Sequence, residues 1–159
     1  GLEPYENLTN CTAAPYASYL LKKENMTDMD LQNAKDLIRM SEDQFTFWDI
    51  VPNDHGIKRF AAPCVVEQYK YWTPVDASAH NVSMAFLNLY EATGDQLAFA
   101  KAKALIDNMT IVQNKCSGQM PTTWDLRSPE RELRRTFWTN CTWSSVTALL
   151  RMAQLTDKE

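Results

Sequence analysis

The segment from Val82 to Ile111, VSMAFLNLYEATGDQLAFAKAKALIDNMTI, decides the fold of this chain. Apolar residues recur in it every three or four positions on both sides of Gly94 and Asp95, which is the spacing of an amphipathic helix. Gly94 suits the left-handed residue after a helix C-terminus, and Asp95 suits the N-cap of the next helix. The segment predicts an antiparallel hairpin of two helices, over about residues 77–92 and from Asp95 to about residue 112.

The same periodicity predicts three further helices. One covers about residues 13–23, a second follows Thr27, which caps it together with Asp30, and the last runs from near Asn140 to about residue 155. The apolar faces expected to be buried are Tyr16, Tyr19 and Leu20; Leu31, Ala34, Leu37 and Ile38; Val82, Ala85, Phe86, Leu89 and Tyr90; Leu97, Ala100, Ala104, Leu105 and Ile111; and Val146, Leu149, Leu150 and Met152. No alternating strand of five or more residues is recognised, so the predicted fold class is all-α, made of antiparallel helical hairpins.

Composition excludes several classes of protein. The chain has 159 residues, of which 45% are hydrophobic and 11% aromatic, so we expect a globular domain rather than a disordered chain. The net charge of −4 makes nucleic acid an improbable partner, and no apolar run approaches the length of a membrane span. Residues 1–12 are expected to be an N-terminal extension and residues 13–159 a single domain. The start of the chain contains no targeting segment, so we expect any such segment to have been removed or to lie outside it.

Two long connections join the predicted helices, over residues 44–76 and 113–139. Loops of this length in a compact domain are usually functional. Because every helix reverses direction, both connections are expected to leave the helical bundle at the same end. Four of the five tryptophans lie in these connections, and Trp143 follows directly after them.

The aromatic and polar residues of the connections suit a carbohydrate site. Indole and phenol rings stack on the C–H faces of sugars, while carboxylate, amide and imidazole groups bind hydroxyls. The candidate substrate-binding residues are Trp48, His55, Tyr69, Tyr71, Trp72, Trp124, Trp138 and Asn140. The alternative is that such aromatic residues pack the loops onto the helix ends, and this interpretation is favoured for Trp143 and Phe137. His55 lies between Asp54 and Gly56, so it is equally explained as a turn residue.

Glycoside cleavage needs two carboxyl groups, one of which acts as an acid. Glu67 is the candidate acid, because Val65 and Val66 before it favour partial burial and therefore a raised pKa. Asp54 or Asp125 is the candidate partner. Glu67 could equally be paired with an arginine. No phosphate loop, dinucleotide fingerprint or zinc motif is present, so neither a cofactor nor a metal is expected.

Six of the ten asparagines begin an Asn-x-Ser/Thr triplet, whereas the Ser and Thr content predicts between one and two. They are Asn7, Asn10, Asn25, Asn81, Asn108 and Asn140. One interpretation is a glycosylated secreted protein. The other is coincidence together with helix capping, since several triplets lie in predicted helices.

Several stretches of the chain resemble the helical repeats of six-hairpin glycosidases and related polysaccharide lyases. The resemblance lies in Leu89–Asp95, Ala100–Ala102 with Leu105, Gly118–Trp124 and Trp138–Cys141, and it extends to Ser41–Phe45 and Pro63–Tyr71. It implies an (α/α)6 toroid of secreted, bacterial, polysaccharide-degrading type. About five helices fit here, so the resemblance implies part of a toroid. Its open edge would associate with a missing part or with a second copy.

Three functional hypotheses follow. The first is a carbohydrate-active, glycoside hydrolase-like domain that is secreted or periplasmic and acts on an oligo- or polysaccharide. The second is a non-catalytic helical-repeat module that binds a partner through the same aromatic face. The third is a lyase that acts on uronic acids, with Arg127 or Arg131 binding the substrate carboxylate.

Overall fold

The computed structural model describes residues 8–42, 45–49, 61–67, 73–74, 76–113, 116–119 and 139–156. Within those ranges it contains five helices: α1 Leu8–Leu21, α2 Asp28–Glu42, α3 Asp76–Thr93, α4 Gln96–Val112 and α5 Thr139–Thr156. The predicted all-α class is confirmed for the helical body, and each predicted helix is present, although α1 begins at Leu8 rather than near residue 13. None of these helices combines the length and apolarity needed to cross a lipid bilayer.

Helix α3 lies at the centre of the helical packing. It packs against its hairpin partner α4 and also against α1 and α5, while α1 packs in turn against α2. The links within the two hairpins are short: two residues, 94–95, join α3 to α4, and six, 22–27, join α1 to α2, more than the two to four expected. The described residues thus form two helical hairpins and a fifth helix. They do not show closure into a toroid, which stays a prediction.

The turn between α3 and α4 has the predicted chemistry. Gly94 has a φ of +73°, a conformation that side-chain-bearing residues rarely adopt. Its backbone N–H donates to the Tyr90 carbonyl at 2.7 Å. The Asp95 carboxylate accepts hydrogen bonds from the backbone N–H groups of Leu97 at 2.9 Å and Ala98 at 3.4 Å. The turn therefore ends one helix and begins the next with residues that suit each role.

A reciprocal cap begins α2. The Thr27 hydroxyl donates to Asp30 Oδ2 at 2.8 Å, and the Asp30 N–H donates to Thr27 Oγ1 at 3.1 Å. Lys23 Nζ donates to the same carboxylate, at 2.8 Å from Oδ1. The hydrogen bond from Lys23, followed by those from Thr27, lowers the pKa of Asp30 to about 2. The Asp30 carboxylate therefore holds together both ends of the link between α1 and α2.

The core is built from small side chains at the helix contacts and larger ones between them. The fully buried alanines are Ala14, Ala17, Ala34, Ala79, Ala85 and Ala102. A seventh fully buried alanine, Ala148, lies on α5. The largest fully buried apolar side chains are Leu87, Leu105, Ile106, Met109 and Val82. Alanine at these positions lets the helix axes approach closely.

Three of the predicted apolar faces were partly wrong. In α1, Tyr16 and Tyr19 are 54% and 63% exposed, and their rings stack on one another with centroids 6.2 Å apart. In α4, Leu97 and Ala100 are exposed. In α5, Val146 and Leu150 are exposed, whereas the smaller Ser145 and Ala148 are buried. In α1 and α5 the prediction followed the largest apolar residues, whereas small residues such as Ala14, Ala17, Ser145 and Ala148 are the buried ones.

The connection between α2 and α3 contains a small antiparallel sheet that periodicity did not predict. Its strands are β1 Phe45–Asp49, β2 Ala61–Glu67 and β3 Thr73–Pro74, in the order β1-β2-β3. The sequence of β2, AAPCVVE, is a nearly continuous apolar run, so it lacks the alternation that identifies a half-exposed strand. β2 contacts both α3 and α4. The search for alternating strands therefore did not identify this sheet, although the all-α class holds for the helical body.

Two ion pairs connect helices that are distant in sequence. Arg151 on α5 pairs with Glu91 near the end of α3, and Lys101 on α4 pairs with Glu42, the last residue of α2. Lys101 Nζ also lies 5.5 Å from the centroid of the Phe86 ring. Lys101 lies near the start of α4, about 16 Å of helix before its end at Val112. The first connection leaves from Glu42, which pairs with Lys101, and the second leaves from Val112. This ion pair therefore does not support the expectation that both connections leave the bundle at one end.

We expect Asp95→Ala to destabilise the protein by about 1 kcal/mol, because two backbone N–H groups at the start of α4 lose their acceptor. Urea unfolding followed by circular dichroism measures this. Asp95→Asn is the matched control and should retain most of the stability, since asparagine caps helices almost as well. Equal stability of the alanine variant and the wild type would contradict the assigned cap.

Candidate functional site

Two of the predicted site residues have a described backbone position in the sheet. Trp48, in β1, lies opposite Ala62 near the start of β2, and Glu67, the last residue of β2, lies opposite Thr73 in β3. Ala62 and Glu67 are five positions apart, which corresponds to about 17 Å along a strand. The sheet therefore does not place the backbone of Trp48 beside that of Glu67.

The segments that carry the other candidates begin at opposite ends of β2. Asp49 pairs with Ala61, and the chain between them, residues 50–60, includes Asp54 and His55. Glu67 pairs with Thr73, and the chain between them, residues 68–72, includes Tyr69, Tyr71 and Trp72. All five of those candidates lie outside the described residues. Hence Glu67 adjoins the aromatic segment, while the segment with Asp54 starts about 20 Å away along β2.

The second long connection is described only at its two ends. At its start, Gln113 Nε2 donates to the Gly118 carbonyl at 2.6 Å, and Gly118 has a φ of +73°. Trp124, Asp125 and Trp138 lie outside the described residues. Asn140 is the second residue of α5, where its backbone position alone is described. The buried Ser145 hydroxyl lies 3.5 Å from Met109 Sδ, which places the first half of α5 beside the second half of α4.

An exposed apolar stripe on α5 was missed. Trp143 is 74% exposed, and Val146 and Leu150 follow it on the same side of the helix at spacings of three and four residues. Trp143 was expected to pack against the helix ends. The sequence signal that could have corrected this is the pair Ser145 and Ala148, whose small side chains mark the side of α5 that packs closely.

Helix α3 carries buried polar side chains between its neighbours. Asn88 is 3% exposed, and neither its Oδ1 nor its Nδ2 atom has a hydrogen-bond partner among the residues that the structure describes. His80 Nδ1 is also buried without one, and burial lowers the pKa of this imidazole to about 4. Both side chains destabilise the folded state relative to apolar ones, a pattern that often marks a functional position.

Metal binding has no support in the described part of the chain. There, no three side chains of His, Cys, Asp or Glu come together in a way that could hold an ion. Cys116 is exposed in the turn at 116–119, and the side chains of Cys11, Cys64 and Cys141 lie outside what the structure describes.

Comparison with known proteins finds no match: no family model, no curated protein and no solved structure is significantly similar to this chain. The resemblance to six-hairpin glycosidases therefore rests on the sequence stretches quoted above. Function has to be argued from the site residues and from the fold that carries them.

We expect stability to fall between pH 6.5 and pH 4 because of His80. The unfolded chain takes up a proton near pH 6.5, whereas the folded protein does so only near pH 4, so protonation favours unfolding across this window. The loss is up to ~3 kcal/mol. His80→Leu should remove this part of the pH dependence, which urea unfolding at a series of pH values measures. If the free energy of unfolding of the wild type and of the variant changed with pH in the same way, the buried neutral state of His80 would be contradicted.

Asn88→Leu is expected to stabilise the protein by about 1–2 kcal/mol, since leucine has a similar size and leaves no buried amide without a partner. Thermal and urea unfolding measure the change. The matched control is Asn33→Leu at an exposed position of α2, which should change stability by less than about 0.5 kcal/mol. A destabilised Asn88→Leu variant would mean that the amide has an interaction that stabilises the fold.

Proposed function

We propose that this chain is a carbohydrate-active, glycoside hydrolase-like domain that binds or cleaves an oligo- or polysaccharide. The observation that carries the proposal is the position of Glu67. The pairing of Glu67 with Thr73 holds side by side the two ends of a five-residue segment that contains Tyr69, Tyr71 and Trp72. A carboxyl group and three aromatic residues within six positions of the chain supply the residue types that a sugar site requires.

The strand that precedes this segment contacts the helices. β2 contacts both helices of the α3–α4 hairpin, whose turn is capped at both of its ends. Binding residues held on loops by a rigid scaffold are the common arrangement in enzymes. Glu67 is the proposed general acid, with Asp125 or Asp54 as its carboxylate partner.

The test is reducing-sugar release from a panel of polysaccharides by the wild type and by Glu67→Gln. Replacing the acid by an amide removes the proton that the leaving oxygen needs, so activity should fall by about 100-fold or more. Glycan binding by the variant should persist. Glu24→Gln, an exposed change in the link between α1 and α2, is the matched control and should leave activity unchanged. Normal hydrolysis by Glu67→Gln would exclude Glu67 as the acid.

A non-catalytic binding module is the second candidate, and the exposed stripe of Trp143, Val146 and Leu150 favours it. This function needs no pair of carboxyl groups. A binding module would bind glycan or protein without releasing reducing sugar. Trp143→Ala should abolish this binding, whereas Glu67→Gln should retain it.

A product that absorbs in the ultraviolet, by contrast, would identify an eliminating enzyme that acts on uronic acids.

A further inference from the structure

The six Asn-x-Ser/Thr triplets are not equivalent in the folded protein. The structure describes the asparagine side chain in three of them, at Asn25, Asn81 and Asn108. Asn25 is exposed in the link between α1 and α2, and Asn81 is half-buried on α3. Asn108 is 1% exposed inside α4. An N-linked glycan is large and strongly hydrated, so it requires an asparagine whose amide reaches solvent.

The surroundings of Asn25 leave room for such a group. Its neighbours Lys23, Thr27 and Asp30 hold the link through hydrogen bonds to one another, and Asn25 has no side-chain hydrogen bond to any residue that the structure describes. A substituent on the Asn25 amide would therefore displace no contact of the cap. It would also add no charge, because the amide stays neutral.

Asn108 presents the opposite case. It lies between Leu105 and Met109, both fully buried, on the side of α4 that faces the core. A glycan on Asn108 would have to separate α4 from its neighbours. A chain modified there could not reach the described fold, so folded protein should carry no sugar at this position. Asn81 is half-buried on α3, so the folded protein leaves less room for a glycan there than at Asn25.

We propose that Asn25 is an N-glycosylation site, the acceptor of one oligosaccharide at the tip of the α1–α2 hairpin. The donor class is a polyprenyl-diphosphate-linked oligosaccharide. Asn25 Nδ2 forms a bond to the anomeric carbon of the sugar, the bond from that carbon to the diphosphate oxygen breaks, and the lipid diphosphate leaves with the electron pair. One amide proton passes to a base of the transferase. The transferase acts on the chain before it folds, and the fold then decides which modified chains persist.

The experiment expresses the full chain behind a secretion leader in a eukaryotic host and isolates the folded, monomeric product. Glycopeptide mapping by mass spectrometry, before and after enzymatic removal of N-glycans, determines the occupancy at each triplet. We expect sugar on the Asn25 peptide and none on the Asn108 peptide. Asn25→Gln should lower the intact mass by one glycan chain while leaving Thr27 and Asp30 unchanged.

Asn33→Gln is the matched control, since Asn33 is exposed on α2 and does not begin a triplet. It should leave the glycan pattern unchanged. Two results would overturn the proposal: an unmodified Asn25 peptide in the folded secreted protein, or an Asn25→Gln variant with the glycan content of the wild type. Sugar on Asn108 in folded material would contradict the structural basis of the assignment. The carbohydrate-active function is tested separately, because glycan content does not report on hydrolysis.

Discussion

The close approach of α3 to three neighbouring helices is the constraint on which the rest of this structure depends. Helix axes separated by only 8–10 Å need small side chains where they meet. That condition is met by Ala79 and Ala85 on α3, and by alanines on each helix that packs against it. Leucine or tyrosine at those positions would overpack the contacts, at about 1–3 kcal/mol for each site. The alanines therefore determine which side of each helix faces inward, and the large apolar residues fill the remaining space.

This constraint explains which features of the fold were predictable. Helix positions depend on interactions within a few residues, such as those of Gly94 with Tyr90 and of Thr27 with Asp30, and these were identified correctly. The buried side of a helix depends instead on how near its neighbour comes. Periodicity carries no information on that distance, and so Tyr19 and Leu150 were assigned to the core although both are exposed. The sheet was not predicted because β2 is a short apolar run, which is compatible with a strand or with a buried helix.

The candidate site, like the fold, could be predicted from the sequence only in part. The residue types in the two connections predicted a carbohydrate ligand, but residue types alone do not determine which of them come together. The register of β1, β2 and β3 supplies part of that information: it pairs Glu67 with Thr73, at the two ends of segment 68–72, and sets Glu67 far along β2 from Trp48. Asn88 and His80 were not considered candidates, since only a structure reveals that a polar side chain is buried without a partner. Both lie on α3, the helix that packs against α1, α4 and α5.

The unequal lengths of the links have a consequence for how such a protein can diversify. Two residues join α3 to α4, whereas 33 separate α2 from α3 and 26 separate α4 from α5. The entropy of closing a loop rises only with the logarithm of its length, by about 0.6 kcal/mol for each doubling. An insertion in a long link outside β1, β2 and β3 would thus add little to the entropy of closing it, while any insertion between Gly94 and Asp95 would break the cap. Ligand preference could consequently change over evolutionary time in the long links, with the α3–α4 hairpin retained as an unchanging support.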